Sequence, residues 1–363
     1  MKARPWRLAW MVPAAFALIV GLNAGILLLG LPAPLTMARL ADVHGMLLAI
    51  GFVATLVSLE RATALGRWYG FIAPGLLGLG GVLLLVDALP ITVGKAVMVA
   101  GLAAFTLVYV PLWRRQYDAA LLTQLLAAGL ATAGAILWLG DASMPQVIGW
   151  LIAFLVLTIA AERVELARIT MGAGAGTRLM IHAWAVTAAL VIGVALPQAG
   201  AIALGAVLVS LTWWLLQHDV ARHTIKATGV TRYMAACILA GYVWLAVAGV
   251  TLLITGDPAR STETYDAVVH AVLVGYTFSM IMAHATTILP AVLSIRLPYR
   301  AAFWVPVALL HLSLIVRIWG GDAMGWPVAR QWGGVLGAIA LLLFFATAIT
   351  SAILARATDR SAS

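Results

Sequence analysis

The chain has few charged residues and a single cysteine, and both shortages exclude whole classes of protein. Charged side chains make up 10% of the 363 residues, against 64% hydrophobic residues and a mean hydropathy of +1.05. A chain this apolar has too little polar surface to cover a soluble globule of its size. We therefore predict an integral membrane protein that is embedded in the lipid bilayer, which is thus one of its partners.

The single cysteine, Cys237, excludes an internal disulfide, a covalently attached c-type haem and a cysteine-ligated iron–sulfur cluster. Any haem would have to be held non-covalently. The sequence also has no glycine-rich phosphate loop and no nucleophile-plus-base motif. The net charge of +9 does not indicate a nucleic-acid partner, because the basic residues occur in short clusters between apolar runs.

Apolar runs bounded by charge or by Pro and Gly predict about twelve transmembrane helices, each near the roughly 20 residues that a bilayer core requires. The loops between them are short, so we predict one all-α transmembrane domain over residues 1–363. The predicted spans are 8–30, 38–59, 69–89, 92–113, 119–139, 146–161, 179–197, 199–217, 231–254, 265–289, 301–319 and 328–353.

Basic residues are distributed unevenly between the two predicted sides of the membrane. With the amino terminus in the cytoplasm, most of the 22 Lys and Arg residues fall on the inner side, including Lys2, Arg4 and Arg7. Those that fall on the outer side are Arg39, Lys95, Arg260, Arg317 and Arg330. This asymmetry follows the positive-inside rule. It predicts cytoplasmic termini and a multi-pass protein of a bacterial-type inner (plasma) membrane.

Similar segments recur along the chain and suggest internal repeats. The second span opens with DVHGMLLAIGF and the tenth contains VVHAVLVGYTF, while SLERATAL and AAERVELA end the second and sixth spans. We therefore predict three pseudo-repeated groups of four helices, at about 1–118, 119–230 and 231–363. The pairs Glu60–Arg61 and Glu162–Arg163 at matching inner ends are interpreted as topology and interface charges.

Five histidines lie inside the predicted spans, where ionisable side chains are rare and usually functional. At about 1.5 Å of rise per residue they fall at three depths. His44 and His270 lie in the outer half, His182 and His284 in the inner half, and His311 near the middle. Neutral imidazole ligates haem iron, copper or zinc, so these side chains are candidate metal ligands.

The best candidate pair is His44 with His270, because a bis-histidine b-type haem needs two imidazoles at one level on facing helices. Arg39 and Arg317 lie at the outer helix ends, where a guanidinium can pair with haem propionates. The alternative interpretation is that a buried histidine bonds a hydroxyl or a carbonyl and so fixes two helices together.

A second, inner centre has a less certain set of ligands. The sequence offers His284 with either His182 or His311, and it does not decide between these partners. The same three histidines would also suit the substrate path of a transporter. Both readings therefore stay open for the inner half of the membrane.

The helix count and the placement of two histidines resemble the catalytic subunits of haem-copper oxidases and nitric oxide reductases, and the smaller NnrS-type membrane proteins. The segments that carry the resemblance are VHGMLLAIGF and HAVLVGYTFSMIMAHA, with LLHLSLIVRIWG as support. In that family the histidines of the second and tenth spans hold the low-spin haem, which the resemblance assigns to His44 and His270. It also implies one or two haem b groups, an electron donor and a small gas ligand.

The sequence departs from that family at its other metal sites. The sixth span, QVIGWLIAFLVLTIA, has no histidine and no adjacent His-His pair follows, so the usual copper ligands are absent although copper stays a candidate. Val272 stands where the high-spin haem ligand would lie. The resemblance thus implies a haem protein for electron transfer, or for binding or reducing nitric oxide or oxygen as an oxidoreductase. A twelve-helix transporter and a non-catalytic accessory subunit are the alternatives.

Overall fold

The structure is a computed structural model that describes residues 9–361, so Lys2, Arg4 and Arg7 lie outside the described residues. Helices make up 85% of the structure, and the described part contains no strand. Eleven of the helices within residues 9–361 are long and apolar enough to cross a membrane. The all-α class is confirmed, and these helices indicate a multi-pass membrane protein.

Twelve principal helices, numbered here in chain order, follow the predicted spans closely. They are α1 (Met11–Leu28), α2 (Leu40–Leu65), α3 (Trp68–Leu83), α4 (Ile91–Gln116), α5 (Ala119–Leu139), α6 (Met144–Leu166), α7 (Ala175–Ala195), α8 (Pro197–His218), α9 (Gly229–Thr255), α10 (Thr262–Leu293), α11 (Ala301–Ala323) and α12 (Pro327–Ser361). Short helical turns occur at Arg168–Met171, Ala221–Thr224 and Pro258–Arg260. Because α3 is too short to count among the eleven long helices, the number of spans stays a prediction.

The helices form two compact units. The N-terminal unit contains α1 to α7, and the C-terminal unit contains α8 to α12 together with the short helix Arg168–Met171. In the N-terminal unit α4 packs between α3 and α5, and α5 packs on α6. In the C-terminal unit α9 packs on both α8 and α10, and α11 packs on α12. The three-repeat arrangement remains a prediction.

Helix ends follow signals that are local in the sequence. The Asp118 side chain accepts a hydrogen bond from the backbone N–H of Ala120 and so caps the start of α5. The hydroxyl of Ser261 accepts from the N–H of Thr264 at the start of α10. Gly66 ends α2 with a φ of 69°, a left-handed conformation that favours glycine.

Three of the long helices contain a π-helical segment, and each segment follows a histidine. The segments are Leu47–Ala54 in α2, Ala271–Phe278 in α10 and Ile315–Ala323 in α11. The preceding histidines are His44, His270 and His311. Longer π-helical turns are rare in proteins and occur frequently at functional sites. The two sequence segments that match each other, around His44 and His270, therefore share their local backbone structure.

Candidate functional site

His44 lies on α2 and is held against a glycine-lined face of α1. Its ring nitrogen Nδ1 lies 2.8 Å from the carbonyl oxygen of Gly21. Gly25 is one turn further along α1, and a Cβ atom added there would lie only 3.0 Å from Cε1 of the ring. Because a carbonyl only accepts, Nδ1 carries the proton and the neutral ring keeps its lone pair on Nε2.

His270 has the same tautomer in the C-terminal unit. Its Nδ1 lies 2.8 Å from the carbonyl oxygen of Asp266, one turn earlier on α10, and 3.3 Å from Oδ1 of the same residue. The side chain is 20% exposed. A hydrogen bond on Nδ1 fixes the ring orientation and leaves Nε2 as the donor atom, which is the usual arrangement of a metal-ligating histidine.

The two candidate axial ligands belong to different units, His44 to the N-terminal unit and His270 to the C-terminal unit. Each is half-buried on an apolar helix, and each is followed within a few residues by a π-helical segment. Both rings have Nδ1 on a backbone carbonyl, that of Gly21 on α1 for His44 and that of Asp266 on the same helix for His270. Their pairing on one haem remains a prediction.

The candidates for an inner centre are His284, His182 and His311. His284 is 7% exposed, and its Nδ1 lies 2.8 Å from the carbonyl oxygen of Met280. His182 lies in the N-terminal unit, with its Nδ1 2.8 Å from the carbonyl oxygen of Arg178. Within residues 9–361, no group of three or more His, Cys, Asp or Glu side chains is arranged to hold a metal ion.

His311 differs from the other four candidate histidines in its hydrogen bonding. Its Nδ1 lies 2.9 Å from Nε1 of Trp244 on α9. Indole N–H groups only donate, so Nδ1 of His311 accepts and the neutral ring carries its proton on Nε2. Gly275 on α10 makes this contact sterically feasible, since a Cβ atom there would collide with Trp244. Sequence reasoning did not identify Trp244, because nothing local in the sequence relates it to His311.

Arg39 and Arg317, the two arginines assigned to haem propionates, both have protein partners. Arg39 donates to the backbone carbonyls of Val86 and Asp87 at 2.9 and 3.2 Å. Arg317 binds Asp266 through two nitrogens, with Nε at 2.8 Å and Nη2 at 2.7 Å from the carboxylate oxygens. The structure thereby brings His270 and Arg317 together on one carboxylate.

A wider set of charged side chains surrounds this pair at the ends of α10 to α12. Arg330 on α12 lies 3.1 Å from Asp322 and 3.7 Å from Glu263. The side chain of Asp322 is only 3% exposed. Sequence reasoning missed Asp322 because the predicted eleventh span ended at 319, whereas α11 continues to Ala323. The sequence did contain one sign of a charged site at this place, because Asp266 lies four residues, about one helical turn, before His270.

Comparisons with known proteins place the chain in a family without indicating a chemistry. The family described as Domain of unknown function (DUF8744) matches residues 7–353, a stretch that contains all of the candidate ligands from Arg39 to His311 and Arg317. No curated protein and no solved structure matches the chain. Because the family match covers nearly the whole chain, the protein belongs to the family described as Domain of unknown function (DUF8744).

Proposed function

We propose that this chain is a membrane-embedded b-type haem protein that transfers electrons, or that binds or reduces a small gas such as nitric oxide or oxygen. The observation that carries the proposal is the local structure shared by His44 and His270. Each lies next to a π-helical segment on an apolar helix, and each has Nδ1 bonded to a backbone carbonyl. The resemblance to haem-copper oxidases, nitric oxide reductases and NnrS-type proteins supports the same assignment.

The donor set suits a low-spin haem, because two neutral imidazoles with Nε2 lone pairs are the ligands that such a haem takes. When bound, haem would supply one-electron chemistry and, at an open axial position, gas binding. The chain's own residues would hold and orient the group. The carbonyls of Gly21 and Asp266 fix the two rings, while Arg39 and Arg317 would hold the propionates through N–H groups that their present partners leave over.

The rest of the proposal concerns the setting of the protein. It would lie in a bacterial-type inner membrane with both termini in the cytoplasm, and it would receive electrons from an electron donor. A second haem at His284, with His182 or His311 as partner, enters the proposal only if the haem content exceeds one per chain. Copper is left out because the usual ligands are absent from the sequence.

An absorption spectrum of the purified full-length chain tests the proposal. After expression with adequate haem, we expect a Soret band, bound iron in proportion to the haem, and loss of the native spectrum in His44→Ala and His270→Ala. Exogenous imidazole should restore the spectrum of each variant, because it can occupy the vacated axial position. His223→Ala is the matched control, since His223 is exposed at the inner end of the C-terminal unit. No Soret band, or a native spectrum in both variants, would refute the proposal.

A transporter is the second candidate, and the buried charges of the C-terminal unit favour it. The side chains of Arg317 and Asp266 are 11% and 15% exposed inside helices long enough to cross a membrane. Ionisable groups at such positions often mark an ion or substrate path. The test is the flux of an ion or substrate into proteoliposomes that contain the protein. His284→Ala would abolish this transport while leaving the absorption spectrum of the protein unchanged. A non-catalytic accessory subunit would instead lose only stability in the histidine variants.

A further inference from the structure

Three glutamates surround one arginine in the N-terminal unit, near the carboxyl-terminal ends of α2 and α6. Nη2 of Arg61 lies 3.2 Å from Oε1 of Glu60 and 3.2 Å from Oε1 of Glu162. Nη1 of the same guanidinium lies 3.6 Å from Oε2 of Glu165. We call these four residues the Arg61 cluster. When all three carboxyl groups are ionised, three negative charges face one positive charge.

The surroundings of the Arg61 cluster raise the free energy of the state with this excess of negative charge. The side chain of Glu162 is 19% exposed and that of Arg61 only 9%. The helix that carries Glu162 ends at Leu166, so its carboxylate lies near the negative pole of the helix dipole. Carboxylates that are close together in a poorly solvated site cannot all be ionised without a large rise in free energy.

Other cations near these helix ends do not neutralise the carboxylates. Within the described residues, Arg61 is the cation that forms ion pairs with the three glutamates. Arg115 on α4 instead donates to the backbone carbonyl of Leu65 at 3.2 Å. Arg163 is buried on α6 and has its own partner. A metal ion is not favoured either, because no described group of acidic or histidine side chains has the arrangement that a metal needs.

A buried tyrosine supplies the second, independent observation. Tyr109 on α4 is 0% exposed, and its hydroxyl has no hydrogen-bond partner among the described residues. The phenol interacts electrostatically with all four members of the Arg61 cluster. Nε of Arg61 is likewise buried without a partner. Buried polar groups normally have partners, so these two indicate a polar site that water completes, in which the Tyr109 hydroxyl can accept a hydrogen bond as well as donate one.

We propose that the Arg61 cluster is a proton-binding site, with Glu162 as the group that takes up the proton and Tyr109 as the residue that positions it. The proton comes from water, forms an O–H bond with a carboxylate oxygen and returns to water when that bond breaks. Uptake reduces the excess negative charge by one and involves no oxidant or reductant. The residues lie on α2, α4 and α6 of the N-terminal unit, and none of them is a candidate haem ligand.

Infrared difference spectroscopy of the full-length protein in lipid nanodiscs tests the assignment. Spectra recorded at two pH values should contain the C=O band of a protonated carboxyl group, which moves in heavy water because the proton exchanges. We expect Glu162→Gln to abolish the band. Tyr109→Phe removes only the hydroxyl, and we expect it to keep the band at a shifted frequency because a buried dipole near the carboxyl group is lost.

Two controls separate the Arg61 cluster from other buried carboxyl groups and from misfolding. Asp322→Asn removes a carboxyl group of the C-terminal unit that is 3% exposed, together with any C=O band of its own, and it should leave the band assigned to Glu162 unchanged. Glu165→Gln alters the most exposed member of the cluster, at 39%, and should keep a folded protein with the band in place. Absence of the band in the wild type, its survival in Glu162→Gln, or its loss in Asp322→Asn would each overturn the proposal.

Discussion

The indole of Trp244 on α9 donates a 2.9 Å hydrogen bond to Nδ1 of His311 on α11. The bond fixes the proton of the neutral imidazole on Nε2, which is buried and has no partner within the described part of the chain. His44 and His270 have the opposite tautomer, because their Nδ1 atoms face carbonyl oxygens. Ligation of a metal by Nε2 of His311 would therefore require the contact with Trp244 to break.

The first prediction is a difference in tautomer that nuclear magnetic resonance can detect. With ¹⁵N-labelled histidine in the full-length protein, we expect the Nε2–H form for His311 and the Nδ1–H form for His44 and His270. Replacing each histidine in turn assigns the signals. Trp244→Phe should remove the preference at His311 and lower the free energy of unfolding by about 1–3 kcal/mol, because a buried nitrogen loses its partner. An Nδ1–H signal from His311 in the wild type would contradict this assignment.

A second prediction concerns Gly275, which lies in the π-helical segment of α10 beside Trp244. We expect Gly275→Ala to lower the free energy of unfolding by roughly 1–3 kcal/mol and to weaken the contact between Trp244 and His311, because a Cβ atom has no room there. Gly129→Ala on α5 is the matched control. No atom lies within 4 Å of its added Cβ, so alanine should be neutral or stabilise the helix by up to about 1 kcal/mol.

Both glycine variants are compared by unfolding in mixed micelles and by indole fluorescence. Equal effects of the two replacements would mean that the close approach of Trp244 to Gly275 has no energetic role. A change in Trp fluorescence in Gly275→Ala alone would support the packing described here.

The sequence predicted helices well because a long apolar run is a strong local signal, and α1, α5, α8 and α9 lie close to their predicted spans. Interactions between distant residues were not predictable in the same way. Arg61 and Glu162 were assigned to matching helix ends, yet their 3.2 Å contact depends on how α2 packs near α6. The π-helical segments also escaped prediction, since their composition is that of any apolar helix.

The same limit applies to the candidate site. The apolar spans identified His44 and His270 as unusual, but the atoms to which their rings bond are backbone carbonyls, which no side-chain pattern reveals. Asp322 lay outside its predicted span because two glycines and an aspartate, Gly320 to Asp322, resemble a loop. Burial against α12 explains why this stretch is helical.

The third prediction tests how α1 holds His44. Gly25→Ala would put a methyl group 3.0 Å from Cε1 of the imidazole and so displace the ring from the carbonyl of Gly21. We expect a loss of roughly 1 kcal/mol in the free energy of unfolding, the usual value of one hydrogen bond. In a His44→Ala background the same replacement should have little effect, because the ring that it displaces is absent.

This double-mutant cycle isolates the interaction between Gly25 and His44. If Gly25→Ala has the same effect in both backgrounds, the strain lies elsewhere on α1. If the haem proposal is correct, Gly25→Ala should also shift the Soret band, since the ring orientation changes while the ligand remains.

The last prediction concerns the ion pair of Asp266 and Arg317, which connects α10 to α11 beside His270. The pair is bidentate, with distances of 2.8 and 2.7 Å, and both side chains are largely buried. Removing one partner of such a pair leaves an unpaired buried charge, so Asp266→Asn should lower the free energy of unfolding by about 3–5 kcal/mol. Arg317→Lys should also destabilise, because an ammonium group cannot replace the planar fork of the guanidinium.

Asp87→Asn is the control, since Asp87 lies 3.5 Å from Arg39 and the two side chains are 69% and 24% exposed. Exposed pairs contribute little, so this change should stay within about 1 kcal/mol of the wild type. Replacing both Asp266 and Arg317 by uncharged residues should recover part of the loss, because neither charge is then left unpaired. If Asp266→Asn is no more harmful than Asp87→Asn, the pair at α10 and α11 is effectively solvated and does not orient His270.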